Sequence, residues 1–238
     1  MNIVVLNGSG RKEKSRSFKV ANAFIEGLKE NEHLEDEKNI YYVHLFEKNI
    51  NSCVGCQNCW KNYGKCVFND DMEDLIVKYL EADIVIWSFP LTFYDFPSKM
   101  RCFIERLFPI FTAEMAPRED GGYIHLNRYK MKMQRQIFIS TCGFPSQVNN
   151  YEAVKEFIKI MYPNNSDYIF CTEGYLFDED QFKNIINRYL KRVTIAGKEF
   201  SFEDGLDDKS KKVLSTQLLP EDMYMAKSNS TANWLDVR

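Results

Sequence analysis

The sequence predicts a doubly wound, five-stranded parallel α/β domain, and three observations carry that expectation. Short runs rich in β-branched and aromatic residues recur along the chain, amphipathic helical periods separate them, and the runs are apolar throughout instead of alternating with polar residues. Strands of that kind are buried on both faces, and strict strand–helix alternation supplies the covering helices through right-handed crossovers.

The elements follow in order. Ile3–Leu6 is the first strand, and Phe18, Ala21, Ile25 and Leu28 fall on one face of the helix after it. Ile40–Val43 is followed by a helix with Met72, Leu75, Ile76, Tyr79 and Leu80 on its apolar face. Ile84–Trp87 precedes Met100, Phe103, Ile104, Leu107 and Phe108; Ile137–Ile139 precedes Val154, Phe157, Ile158 and Met161. Tyr168–Cys171 precedes Phe182, Ile185, Ile186, Tyr189 and Val193. Residues 1–194 form the expected domain, with an insertion at 109–134 that is rich in Met, Tyr, Arg and Lys. Residues 195–238 form a C-terminal extension broken by Gly197, Gly205 and Pro220.

Composition narrows the function. With 31 Lys+Arg against 34 Asp+Glu, the formal net charge is −3, which argues against a basic nucleic-acid-binding surface. No apolar run approaches membrane-spanning length, and the first strand begins at the N-terminus with no signal peptide before it, so a cytoplasmic protein is expected. The 7 cysteines are an odd number in a chain long enough to bury a core, which points to a reducing compartment and to packing, redox or metal roles.

In an open parallel sheet, ligands bind beyond the carboxyl ends of the strands. The first such turn reads Asn7-Gly8-Ser9-Gly10-Arg11, followed by Ser15, Arg16, Ser17 and Phe18 at the start of a helix. Backbone N–H groups, hydroxyls and guanidinium groups at a helix N-terminus suit a phosphate monoester; the bland alternative is a capped helix with a solvated basic loop. A mononucleotide P-loop is excluded because Arg11-Lys12-Glu13 lacks Gly-Lys-(Ser/Thr), and a dinucleotide fingerprint because Glu13 stands at the third glycine. The turn after the third strand carries Pro90, Leu91, Thr92, Phe93, Tyr94 and Asp95, an aromatic wall for a flat ring or ordinary core lining. The turn after the fourth carries Thr141, Cys142, Gly143 and Phe144, where Cys142 is read as a packing residue beside the ligand.

Cys53, Cys56, Cys59 and Cys66 make a C-x2-C-x2-C-x6-C run. Thiolates so spaced suit a 4Fe-4S cluster or zinc, and a vacant reduced loop is the competing reading. His33, His44 and His125 are isolated in sequence and are expected at the surface or sheet edge.

These motifs resemble those of the NAD(P)H-dependent FMN reductase and iron-sulfur flavoprotein families. Gly8-Ser9-Gly10-Arg11 with Ser15 and Ser17 is similar to their Gly-Ser-Pro-Arg-x-x-x-Ser-x-(Ser/Thr) loop, with Gly10 in place of Pro. Pro90, Pro97, Met100, Arg101 and Arg106 match a second family segment, although Thr92 stands where Tyr is usual. The stretch from Cys53 to Met72, closing Asp70-Asp71-Met72, resembles the cluster-binding segment, and Ala196–Phe200 and Ala232-Asn233-Trp234 resemble the family's tail.

The resemblance implies a flavodoxin-like fold with strand order 2-1-3-4-5 and bound FMN. Ser9, Gly10, Arg11, Ser15, Arg16, Ser17 and Phe18 would hold its phosphate; Pro90 to Asp95 and Thr141 to Phe144 would line its ring. It further implies NAD(P)H as hydride donor, a quinone, flavin or other small acceptor, and a homodimer or homotetramer, with no protein acid or base required. The alternative within the resemblance is an electron carrier serving redox proteins, with a 4Fe-4S cluster on Cys53, Cys56, Cys59 and Cys66. A zinc-stabilised module without flavin is the third reading.

Overall fold

The computed structural model describes residues 1–34 and 37–232. Asn233 and Trp234, part of the tail resemblance, lie outside the described residues. The main sheet contains β1 (Asn2–Asn7), β2 (Asn39–His44), β3 (Ile84–Pro90), β6 (Arg135–Thr141) and β7 (Ser166–Cys171), in the order β2-β1-β3-β6-β7. Every pairing in it is parallel. Counted along the chain, this is the expected order 2-1-3-4-5.

Alternation along each strand divides the interior into two layers. Ile3, Val5, Ile84, Ile86, Ile137 and Ile139 face one side, an aliphatic core covered by α1 (Arg16–Lys29) and α6 (Lys183–Lys198). Val4, Leu6, Trp87, Phe89, Phe138 and Phe170 face the other, an aromatic core covered by α3 (Met72–Glu81), α4 (Ser98–Glu105) and α5 (Glu152–Met161). On the aromatic side, Trp87 stacks on Phe138 at 5.5 Å and donates its indole N–H to Gln136 at 2.7 Å. On the aliphatic side, α1 and α6 meet backbone to backbone. A Cβ at Gly27 would lie 2.0 Å from the Thr194 carbonyl oxygen, and one at Gly197 would lie 2.2 Å from that of Phe24.

The end of one helix differs from the periodic reading. The third helix of that reading, α4, stops at Glu105, and a 3-10 turn at Phe108–Ile110 with Pro109 inside it leads into the insertion. Pro109 brings no N–H to continue the helix, so Leu107 and Phe108 share the apolar period without belonging to α4. The insertion is an antiparallel hairpin of β4 (Phe111–Pro117) and β5 (Tyr123–Asn127). The C-terminal extension folds back onto the domain. α7 (Asp208–Leu214) and α8 (Glu221–Ala232) follow α6, and Phe200, Leu206, Leu214, Leu219 and Tyr224 join the aliphatic core. Among the described residues no helix is long and apolar enough to cross a membrane.

Candidate functional site

A cavity of about 420 Å³ opens at the carboxyl edge of the sheet. Ser9, Gly10, Arg11, Ser15 and Arg16 line one part of it, Pro90, Leu91, Thr141, Cys142 and Gly143 another, and Gly174 and Tyr175 the rest. Asn7, fully buried at the end of β1, organises the first loop: its Oδ1 accepts from the Ser9 N–H at 3.0 Å and its Nδ2 donates to the Lys12 carbonyl at 3.1 Å. Asn7 Nδ2 also lies 3.0 Å from His44 Nδ1, which leaves the proton of a neutral His44 on Nε2, 3.0 Å from Glu13. His44 lies on the edge strand β2, as expected, and also forms part of the loop's support.

Ser15 caps α1, its hydroxyl accepting from the Phe18 N–H at 3.4 Å and lying 2.9 Å from the Ser17 hydroxyl. The first-turn N–H groups of such a helix have no partner within the helix, and its dipole favours an anion there. An anion already sits against the arginines. Asp178 accepts from Arg11 Nη1 at 3.0 Å and from Arg16 Nε and Nη2 at 3.1 and 2.7 Å. Desolvation would raise the Asp178 carboxyl, but the hydrogen bonds from Arg16 and Arg11 outweigh it and hold the group below the usual range. Arg16 also stacks over Tyr175, its guanidinium carbon 4.7 Å from the ring centroid.

At the other end of the cavity, loops from two strands meet through aromatic rings. Tyr94 stacks on Phe144 at 5.7 Å with an interplanar angle of 7°. Phe93 and Tyr94 hold positive φ of 48° and 64° in a tight turn closed by Thr92 and Asp95, and Phe93 is 96% exposed. Asp95 pairs with Arg101 and accepts from the Phe96 N–H at 2.8 Å. Burial pushes the Cys142 thiol up, so it stays protonated and serves as a neutral wall. The Gly143 carbonyl accepts from the Tyr224 hydroxyl of α8 at 2.6 Å, and a Cβ at Gly143 would lie 2.6 Å from the Tyr175 ring.

The four-cysteine segment lies between β2 and α3 and contains a short helix, α2 (Asn58–Lys61). Cys53, Cys56, Cys59 and Cys66 all line one cavity of about 140 Å³ with Trp60, Phe68, Arg106 and Phe108. The chain turns tightly around it, with positive φ at Gly55, Gln57, Tyr63 and Gly64. Its ends are clasped together: the Asn51 and Asn49 N–H groups donate to Asp70 and Asp71 at 2.9 and 2.8 Å. Asp70 also takes both terminal nitrogens of buried Arg106, at 2.7 and 2.9 Å. This is the structural content of Asp70-Asp71-Met72, with Met72 in the core beneath.

Burial and the neighbouring Cys66 and Cys53 push the Cys59 thiol up, as expected of thiols gathered round one space. Among the described residues, no three His, Cys, Asp or Glu side chains converge on one ion position. A cubane takes one cysteine per iron, so its ligands surround a cavity instead of meeting at a point. The donor chemistry of these residues fits such a group.

A family model described as the flavodoxin-like fold matches residues 1–161. The chain belongs to that family. This flavodoxin-like chain is 38% identical over 124 residues to an iron-sulfur flavoprotein of Archaeoglobus fulgidus, a match covering 52% of this chain and 53% of that protein. It spans about half to two thirds of the length of the curated relatives it matches. An azoreductase from Bacillus anthracis superposes with a TM-score of 0.61 at 16% identity, covering 84% of this chain and all of that one. A FMN-dependent NADH-azoreductase from the same species, solved with FMN, gives 0.59 at 15% identity, covering 83% of this chain and 98% of that one. At such identity these structures share the fold.

Of the residues singled out in the sequence, those from the first loop, Pro90, Leu91 and Thr141 to Gly143 share the flavodoxin-like chain's large cavity, except Ser17 and Phe18. Those two are buried, Phe18 against Tyr42 and His44. Thr92 to Asp95 and Phe144 stand outside the cavity lining. Sequence reasoning missed Gly174, Tyr175 and Asp178, which follow β7, and Tyr224. The Glu173-Gly174 turn after the fifth strand was the available signal for the first three; Tyr224 had none.

Proposed function

We propose that this chain is an FMN-dependent oxidoreductase that takes hydride from NAD(P)H and passes electrons to a quinone, a flavin or another small acceptor. The observation that carries this reading is the cavity lined by two guanidinium groups, two serines and the N-terminal end of α1, whose two arginines also hold the Asp178 carboxylate beside it. Asp178 stands in for the anion that this donor set suits, and a phosphate monoester with three acceptor oxygens uses it more fully. Ser9, Arg11, Ser15 and Arg16 would hold the phosphate. Pro90, Leu91 and the backbone of Thr141 to Gly143 would line the ring.

When bound, FMN supplies the hydride-accepting and electron-releasing chemistry, and the chain supplies position and electrostatics. Cys142 keeps its proton and so places no charge beside the ring. Tyr175 and Arg16 close one side of the cavity; Tyr224 fixes the Gly143 carbonyl on another. All seven cysteines are free, in keeping with a reducing, cytoplasmic setting. Met115, Tyr123 and Ile124 of the hairpin are 66%, 70% and 46% exposed, which supports a homodimer or homotetramer.

A second reading rests on the cysteine cavity: Cys53, Cys56, Cys59 and Cys66 would ligate a 4Fe-4S cluster, and the chain would carry electrons to redox proteins. The deciding measurement is the visible spectrum of anaerobically purified protein, with its iron and zinc content. A flavin spectrum without iron supports the first reading, and flavin bands on a broad absorbance that bleaches on reduction, with four irons per chain, support the second. A colourless protein that does not take up added FMN overturns both.

A further inference from the structure

Buried polar side-chain atoms almost always find a partner, because an unmade hydrogen bond leaves their desolvation uncompensated. Among the described residues the orphans are Trp60 Nε1, Ser88 Oγ, Arg106 Nε, His125 Nδ1 and Arg135 Nε. Two of these, Trp60 and Arg106, line the wall of the four-cysteine cavity. A third, His125, packs on Trp60 at 4.7 Å. The concentration is not a matter of loose packing. Arg106 is 2% exposed, and both of its terminal nitrogens are engaged, Nη1 by Asp70 and the Asn51 carbonyl and Nη2 by Asp70. Trp60 is held edge-on against Phe108 at 5.5 Å.

Both orphans on the wall are N–H groups that can only donate, and the other polar side chains there are the four cysteines and the solvent-exposed Gln57 and Glu105. We propose that Trp60 Nε1–H and Arg106 Nε–H are hydrogen-bond donors reserved for the sulfur atoms of a cluster held by Cys53, Cys56, Cys59 and Cys66. The proposal rests on the cluster reading above. Donors to cluster sulfur stabilise the more negatively charged reduced state, so both residues set the reduction potential upward without ligating iron. They are positioning and tuning residues. The fixed Asp70 carboxylate keeps the Arg106 Nε–H oriented by gripping the far side of the same guanidinium.

The test uses the full chain, anaerobically reconstituted with iron and sulfide, as wild type and as Trp60→Phe and Arg106→Lys. Trp60→Phe removes the donor while keeping an aromatic ring against Phe108 and His125; Arg106→Lys keeps a cation for Asp70 and gives a second reading should the first variant not fold. Iron and sulfide are counted, and the cluster and FMN midpoint potentials are titrated separately by electron paramagnetic resonance and visible absorbance. The expected result is wild-type iron content, a cluster midpoint shifted to more negative potential in each variant, and an unmoved FMN midpoint. A cluster midpoint equal to wild type in a variant that retains its iron overturns the proposal. Wild type that takes up no iron overturns the cluster reading itself, and a shift shared equally by FMN shows a general disturbance and also overturns the assignment.

Discussion

Arg16 grips Asp178 through two nitrogens of one guanidinium, at 3.1 and 2.7 Å, although 162 residues separate them. The pair joins the loop after the first strand to the loop after the last, across the mouth of the candidate flavin cavity. A ligand phosphate must compete with that carboxylate for the arginine. Asp178→Asn removes the competitor's charge and is expected to tighten FMN binding roughly tenfold, about 1.4 kcal/mol. Arg16→Ala removes charge-assisted hydrogen bonds and is expected to weaken binding by about 1.5–3 kcal/mol, roughly 10- to 100-fold. Quenching of FMN fluorescence on titration measures both. Equal affinities in all three proteins would remove the phosphate assignment.

Tyr224 reaches from α8 to the Gly143 carbonyl at 2.6 Å and is 1% exposed. Tyr224→Phe leaves that carbonyl short of a partner at a cost of about 1–3 kcal/mol, part of it expressed as a looser loop. A lower melting temperature with several-fold weaker FMN binding is expected from thermal scans with and without FMN. A lowered melting temperature with unchanged affinity would make the contact purely structural.

Asp70 and Arg106 form a pair with side chains 0% and 2% exposed. Desolvation opposes ionisation of Asp70, but Arg106 and the Asn51 and Met72 donors prevail and hold its carboxyl well below the carboxylate range. Because the folded value is depressed, the stabilisation is complete above the unfolded pKa of about 3.9 and is lost as pH falls toward the folded value. Asp70→Asn is expected to cost about 3–5 kcal/mol at neutral pH by stranding the buried guanidinium. Urea unfolding from pH 7 down to pH 2 checks this, the variant losing less stability on acidification than wild type.

Gly27 and Gly197 let α1 and α6 touch. Alanine normally gains about 1 kcal/mol over glycine in a helix interior. Here a Cβ at Gly27 would meet a backbone oxygen at 2.0 Å, which no side-chain rotation relieves. Overpacking costs about 1–3 kcal/mol and wins, so Gly27→Ala is expected to lower the urea midpoint. An unchanged or raised midpoint would show that the helices separate freely.

By itself the sequence determined what local order can encode. Continuous apolar runs and period-3.6 patterns are properties of neighbouring residues, so the parallel strands and their helices were legible, as were the glycine–hydroxyl loop and the cysteine run whose members lie within one segment. Tertiary structure alone decided what depends on distant pairs. The Arg16–Asp178 and Arg106–Asp70 pairs and the Tyr224 contact join segments whose approach no local pattern specifies. Trp60 is the limiting case: its role follows from what its buried N–H lacks, and burial and partners exist only once the chain has folded around that indole.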